Sequence, residues 1–510
     1  MPRIEAPQNG VKIRMYRQGH GDCFLLTMRR DDGKPFNLLI DCGFKPGSEI
    51  KVPIEAVIDD IHEATGGHLD VLMVTHEHQD HVNMFLAKLN GKTMFDAFTV
   101  DGLWFGWTAN RKDKRASEIR EGHKKAAQAL ADVSARLRAS FGAAGVANEI
   151  DEMLEFEGFG AAGHPPGKID SKATIPTPKI AAAMDYVFDK VDKEAKRKYF
   201  KPHEKPFEIE DVPGIRVYAL GPPRGQTLLD KELPDKEDAD RLYERPGHGL
   251  SFGFGSGLTG LFGAVESHAA PELDHFRPFT RKDELTRASG TWEDTAAFFN
   301  YFYPEDEKKT RQERWRRVDS DWLFAAAWFA RKLNVEVNNS SLVIAIELTG
   351  TGKVLLFPGD AQYGNWVSWT EKPFPLGGDS ELTVKDLLAR TVFYKVGHHG
   401  SHNATLKGTT DSTYANLDWL GREFEREFTA VIPANEPWAF GLKVPWEHPL
   451  SSIRKALDRK ADGRVFQSNI DFSDMKRTSG SPAADWQKFV KQAQGSSGQN
   501  LYFDYWVPDE

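Results

Sequence analysis

Apolar residues cluster in short runs towards both ends of the chain, punctuated by turn residues. Residues 11–17, 23–28 and 36–41 alternate or run apolar over strand length, with Asp31-Asp32-Gly33-Lys34 as a tight turn between the last two. Residues 52–64 carry helical spacing. Leu69 to Val74 then forms a continuous apolar run, which predicts a buried strand leading into a polar loop. A helix over 82–89 and a strand over 98–107 complete the first half. This alternation of strands and helices fits an α/β sandwich.

The middle of the chain has a different texture. Residues 114–141 are rich in Ala, Arg, Lys and Glu and predict a long helix. Residues 158–178 are rich in Gly and Pro and predict a loop. A charged helix is expected over 180–199, and a strand over 215–220, ending in Gly221-Pro222-Pro223. Residues 224–334 form a second excursion. Its Gly247–Gly257 stretch reads as a flexible loop, and Trp315, Trp322, Phe324, Trp328 and Phe329 as a helix stripe serving a core or a partner.

Length and charge bound the function. At 510 residues the chain has room for two or three domains. No apolar run reaches membrane-span length, and the first residues hold no secretory core, so a soluble, cytoplasmic protein is expected. The net charge of −9 argues against a generally basic nucleic-acid coat. Two local basic segments remain: one from Arg111 through Lys124, Lys125 and Arg138, the other within 190–205. Each is either a solvated face or a phosphate contact, with Lys124 and Lys125 as the candidate nucleic-acid ligands. Cys23 and Cys42, the sole cysteines, read as buried thiols on adjacent strands.

The chemistry concentrates in Thr75-His76-Glu77-His78-Gln79-Asp80-His81, where a buried strand gives way to a loop. The i, i+2 spacing of His76 and His78 keeps both imidazoles on one side of extended backbone. Asp80 and His81 enter from the following turn. Neutral imidazoles and a carboxylate suit zinc, with manganese or iron(II) as competitors.

This run resembles the H-x-H-x-D-H motif of the metallo-β-lactamase superfamily. The opening segments Gly19-His20-Gly21-Asp22-Cys23 and Leu38-Leu39-Ile40-Asp41-Cys42-Gly43 are similar to its first hairpin. Asn338-Asn339-Ser340-Ser341, Phe357-Pro358-Gly359-Asp360-Ala361, Lys395-Val396-Gly397-His398-His399-Gly400-Ser401 and Glu447-His448-Pro449 then follow in order. The series resembles the soluble hydrolase domain of the ComEC/Rec2 competence-protein group. The resemblance implies a four-layer αββα sandwich interrupted by two mainly helical insertions. Residues 1–105, 212–223 and 335–510 would form the hydrolase domain, and 106–211 and 224–334 the insertions.

The same resemblance implies two divalent ions. His76 and His78 would hold one, Asp80 and His81 the other, Asp360 would bridge them, and His398 would complete the second; the His398–His399 pair can also be reversed. His399 or His448 would serve substrate or proton transfer, and Asp41 would support the ligands from behind. Where many relatives place a further histidine, this chain has Asn338 and Asn339. That departure points to a looser first site, to manganese, or to a histidine such as His248 or His268 supplied by the insertions. Val82-Asn83 also departs from the competence group, which usually has Ile-Gly-Gly there.

The expected function is a metal-dependent phosphodiesterase, a nuclease on DNA or RNA in which two metals activate hydroxide, with Asp80 also counted among the catalytic groups. A small-molecule ester, lactone or β-lactam hydrolase is the first competing reading. A partner-regulated hydrolase module of a multi-component bacterial system, bound through the insertions, is the second.

Overall fold

The computed structural model describes residues 3–50, 52–139, 154, 180–235, 240–243, 335–377, 380–408, 415–442, 446–479, 481–495 and 500–510. The Gly-rich stretch, the Trp-rich stripe, His248 and His268 lie outside the described residues. The chain divides into two units. One comprises Met1–Gly122, Glu155–Gly247 and Asn334–Glu510, the other His123–Leu154 and His248–Leu333.

The first unit is mixed α/β and is built on two mixed sheets. Strands β1 (Val11–Tyr16), β2 (Cys23–Arg29), β3 (Pro35–Cys42), β4 (His68–Val74), β5 (Thr99–Gly106) and β6 (Arg197–Phe200) belong to the first sheet. Strands β7 (Phe207–Glu208), β8 (Ile215–Gly221), β9 (Val343–Leu348), β10 (Lys353–Phe357), β11 (Thr391–Lys395), β12 (Thr429–Ile432) and β13 (Val465–Gln467) form the second. Strands β14 (Ala493–Gly495) and β15 (Tyr502–Val507) return to the first, whose order is β14-β15-β1-β2-β3-β4-β5-β6. The second runs β13-β12-β11-β10-β9-β8-β7.

Each sheet is antiparallel in one part and parallel in the other. Strands β3 to β6 pair in parallel, as do β10 to β13. Parallel strands are covered on both faces, so their sequences are continuously apolar rather than alternating. Val354 to Phe357 and Thr429 to Ile432 show this, with every residue buried.

Side-chain alternation along the strands explains the core. In β2, Phe24 and Leu26 face a cluster that the two sheets share, with Leu38, Ile40 and Met73 from one and Ile344, Ile346, Phe357 and Phe393 from the other. Leu25 points the opposite way. It joins Leu39, Leu72 and Phe105 against helices α1 (Ile54–Thr65) and, further along the chain, Ile180–Asp189. On the second sheet, Ala345, Leu356, Tyr394 and Ile432 meet Trp366, Leu387, Ile453 and Leu457 from helices.

Three sequence expectations need correction. The helix expected over 82–89 stops almost at once: helix α2 covers Gln79–Val82, and a 3₁₀ turn follows over Asn83–Leu86. The cause is Asn83, whose side chain accepts from Phe44 N at 3.1 Å and donates to Phe44 O at 2.7 Å. That clamp fixes the loop to the first hairpin instead of letting a helix continue. The helix expected over 180–199 ends at Asp189, and Arg197–Phe200 becomes β6. Arg197 donates to the Phe188 and Val191 carbonyls and so satisfies acceptors near the helix end. Consequently the stretch 180–208, assigned to the first insertion, supplies a strand to each sheet and a helix to the core. Helix α3 (Lys114–Ala139) does form, and Lys124 and Lys125 are exposed on it. No described helix is long and apolar enough to cross a membrane.

A buried ionic knot ties the end of the chain to its start. Arg14 on β1 donates from Nε and Nη2 to Asp504 on β15 at 2.7 and 2.9 Å, and from Nη1 to Asp60 on α1 at 2.7 Å. Tyr16 donates to the same Asp60 at 2.8 Å, and the guanidinium lies 3.4 Å from the centre of the Tyr502 ring. All three charged residues are at most 6% exposed.

Candidate metal centre

The site sits where the parallel strands of both sheets end. Strand β4 runs into Thr75–His81, β10 into Asp360, β11 into His398 and His399, and β12 into Pro433. Carboxyl ends of parallel strands are where loops of α/β proteins gather ligands. Backbone bonds lock these loops together: Leu342 N donates to Thr75 O at 2.8 Å, and Asp22 N to Asp80 O at 3.0 Å. Glycine makes this approach feasible. A Cβ on Gly43 would lie 2.4 Å from Asp80 C, and one on Gly359, at φ 56°, would lie 2.9 Å from Thr75 Cβ.

Two groups of ligand-type atoms converge. One is His76, His78 and Asp360; the other is Asp22, His81, Asp360 and His399. Within each, the atoms lie within 4.8 Å of one another, and all of these residues are buried. Asp360 belongs to both groups. Its Oδ2 stands 3.9 Å from His76 Nε2, 3.2 Å from His81 Nε2 and 3.4 Å from His399 Nε2. Asp80 joins the second group through His399, at 3.0 Å.

The hydrogen bonds behind the imidazoles determine what they can do in front. His399 Nδ1 lies 2.9 Å from Pro433 O, a pure acceptor, so Nδ1 carries a proton. His81 Nδ1 lies 2.8 Å from Asp41 Oδ2, which fixes its proton in the same way. In the neutral state the Nε2 lone pairs of both rings would then face carboxylates, Asp360 for both and Asp80 as well for His399. Neutral rings in that arrangement repel the carboxylate unless a cation lies between them. His81 Nε2, Asp360 Oδ2 and Asp80 Oδ1 are buried and make no hydrogen bond of their own. Orphaned donor atoms of metal-ligand chemistry, gathered around one carboxylate, fit a divalent ion.

The electrostatics agree. Burial opposes charge on His399, yet Asp360 and Asp80 lift its pKa to about 9. His81 is likewise raised well above the usual histidine range, against burial, by Asp360, Asp22 and Asp41. Burial would raise the Asp360 carboxyl, but His81, His399 and Lys395 hold it far below the ordinary range. The site therefore demands positive charge at its centre. His76 is the opposite case: burial, then His81 and His78, keep it neutral, the state in which imidazole binds metal.

Asp41 supports the cluster from behind. Thr75 N and Oγ1 donate to its two oxygens at 2.8 and 2.6 Å, and His81 takes the remaining contact. Its backbone is left-handed, at φ 55°, as are those of His398 and His399 at 41° and 52°. Non-glycine residues rarely adopt this region, and such strain concentrates at functional sites. Asp41→Asn is expected to weaken metal retention by about 10–100-fold, measured by competition with a chelating dye. Unchanged retention would remove Asp41 from this role.

The placement of the sequence candidates is now explicit. His76, His78, Asp80, His81 and Asp360 come together. Of the adjacent histidines, His399 and not His398 enters the cluster. His398 Nδ1 is instead held by Gln362 at 3.1 Å and Ser401 at 2.8 Å. Burial lowers its pKa to about 3. Asn339 is committed to architecture: its Oδ1 accepts from Gln362 N and Asn365 N, and its Nδ2 donates to Leu229 O and Lys231 O. Asn338 is fully buried beside it. His448 approaches His20 at 3.4 Å on the flank of the cluster.

Sequence reasoning missed two groups. In the sequence Asp22 stands out only as part of the opening hairpin, where a carboxylate between Gly21 and a strand is the available signal. Lys395 is 1% exposed on the side chain and bridges Asp22 at 2.5 Å and Asp360 at 3.1 Å. In the sequence it marks only the edge of a histidine motif. A third histidine–aspartate group, His68, Asp70 and Asp101, lies at the opposite ends of β4 and β5. There Asp70 is already satisfied by Arg30 and Asn37 N, so that group shows no comparable need for a cation.

No family model matches this chain, and neither does any curated protein or solved structure.

Proposed function

We propose that the protein is a cytoplasmic metallohydrolase of the metallo-β-lactamase superfamily, akin to the ComEC/Rec2 hydrolase domain, that cleaves phosphodiesters of DNA or RNA. The carrying observation is the Asp360 carboxylate shared by two histidine-rich groups. The arrangement of sheets and helices supports the reading: a core between two sheets with helices packed outside each suits an αββα sandwich. His76, His78 and Asp360 would hold one divalent ion, and Asp22, His81, Asp360 and His399 the other, with Asp80 beside His399. Zinc fits the imidazole-rich set best, and manganese is the competitor.

When bound, two divalent ions supply a hydroxide nucleophile at neutral pH and stabilise charge on the oxygens around phosphorus. The chain's own residues do the rest. Lys395 offsets carboxylate charge and holds Asp22 and Asp360 in place. Asp41 and Pro433 orient His81 and His399 through their Nδ1 protons. With His399 taken up by the cluster, His448 is the remaining group for passing a proton to the leaving oxygen. Lys124 and Lys125, exposed on α3, are available to backbone phosphates.

The test combines elemental analysis with zinc- and manganese-dependent cleavage of single- and double-stranded DNA and RNA. Two metals per chain, and cleavage lost in Asp80→Ala, are expected. Two metals without cleavage of any phosphodiester would transfer the reading to small esters, lactones or β-lactams.

A further inference from the structure

One flank of the metal centre is aromatic. His20 is fully buried, and its ring centre lies 4.3 Å from that of His399, inside the cluster. On its other sides it meets Trp438 at 5.2 Å, Trp446 at 6.1 Å and His448 at 5.4 Å, the last pair stacked within 12° of parallel. Trp438 and Trp446 meet edge to face at 5.6 Å and 90°. Both indoles are only half-buried, so the pair forms a rim one ring removed from a ligand histidine.

Trp438 is held firmly in place. It lies on the short helix Glu436–Phe440, whose capping residue Asn435 accepts from Trp438 N and donates to Ser48 O at 2.7 Å. Gly47 lies in the same loop, between β3 and α1, at φ 88°; a Cβ there would stand in ordinary van der Waals contact with Trp438 Nε1, at 3.7 Å. The loop also carries Lys45, whose ammonium lies 5.9 Å from the centre of the Trp446 ring. A second observation marks the place as unfinished. His20 Nδ1 is buried without a hydrogen-bond partner. Partially exposed indoles beside a buried cation and an unsatisfied imidazole suit an aromatic ring carrying polar atoms near an anion.

We infer that Trp438 and Trp446 form a stacking subsite for a nucleobase adjoining the phosphodiester at the metals. This rests on the phosphodiesterase reading and adds the substrate element that the metals themselves cannot select. Base–aromatic stacking tolerates any base, so the subsite favours nucleotides over simple diesters without imposing sequence.

The test compares thymidine 5′-(p-nitrophenyl phosphate) with methyl p-nitrophenyl phosphate on the metal-loaded protein. Both release the same chromophore and differ in the nucleoside. The wild-type kcat/KM should favour the nucleoside ester by about 5- to 150-fold. In Trp438→Leu combined with Trp446→Leu the ratio should fall close to one, and Trp438→Phe should give an intermediate ratio should the double variant not fold. A ratio unchanged in a folded variant overturns the inference and leaves the phosphodiesterase reading standing. If neither ester is cleaved, that reading fails, and saturation-transfer NMR of thymidine 5′-monophosphate decides the subsite by itself. Ring-proton saturation lost on removing the indoles upholds it, and none in the wild type overturns it.

Discussion

Replacing Asp360 by alanine is expected to cost more function than any other single change in this protein. Its Oδ2 faces His76, His81 and His399, and Lys395 donates to its Oδ1 at 3.1 Å. Removing it takes a ligand from both groups at once. Elemental analysis should then fall from two ions to one or none. Under the proposed two-metal mechanism, hydrolysis should drop by roughly 10³-fold or more, since each bound metal would contribute several kcal/mol to the transition state. The aligned control is Asp22→Ala, which touches the second group alone and should leave one ion in place. Asp360→Ala protein that retains two ions at full occupancy would show that the two groups do not share a carboxylate. Under that result the two-metal mechanism fails even if some hydrolytic activity survives.

The second large effect is on stability. Arg14→Ala should destabilise the first unit by about 3–5 kcal/mol, the usual result of removing one partner from a buried ionic group. The loss takes both guanidinium donors from Asp504, leaving it the partly exposed Lys12 at 3.3 Å, and leaves Asp60 with Tyr16 in place of a cation. It also removes the cation stacked on Tyr502. Because β15 pairs with β1 throughout Val11–Tyr16, the damage should appear first as loosening of the C-terminal strand. Urea midpoints and hydrogen exchange of residues 502–507 would measure it. Arg14→Met, combined with Asp504→Leu and Asp60→Leu, should recover much of the stability, since apolar packing can replace a buried ionic network. Arg14→Ala with an unchanged midpoint and unchanged exchange would mean that the knot contributes nothing net.

The aromatic rim and the supporting residues illustrate what is readable along the chain and what is not. The run from Thr75 to His81 announces a candidate metal site because its ligand-type residues are contiguous: a strand end and one turn bring them together with little help from the rest of the fold. Asp360 and the His398–His399 pair were placed by resemblance, not spacing. Choosing between the two histidines needed coordinates, because two successive left-handed residues redirect their side chains. Strand spacing cannot foresee such a reversal. Local pattern failed in the same way at residues 82–89, where Asn83 grips the Phe44 backbone across a separation of 39 residues.

What the sequence by itself determined is the strands of the first half, with the one ending in Gly221-Pro222-Pro223, and the ligand-type residues of the loop after β4. Each follows from residues close together in the chain: apolar runs that must leave water, and imidazoles and carboxylates a few positions apart. The tertiary structure alone decided that Asp22 and Lys395 complete the cluster, that His399 is the inward histidine, that Asn339 serves the loops, and that residues 180–208 belong to the core. It alone set Trp438 and Trp446 beside His20. The physical reason is common to all of these. Their partners are tens to hundreds of residues away, and their roles come from charge balance and packing that exist only once both sheets have closed on each other.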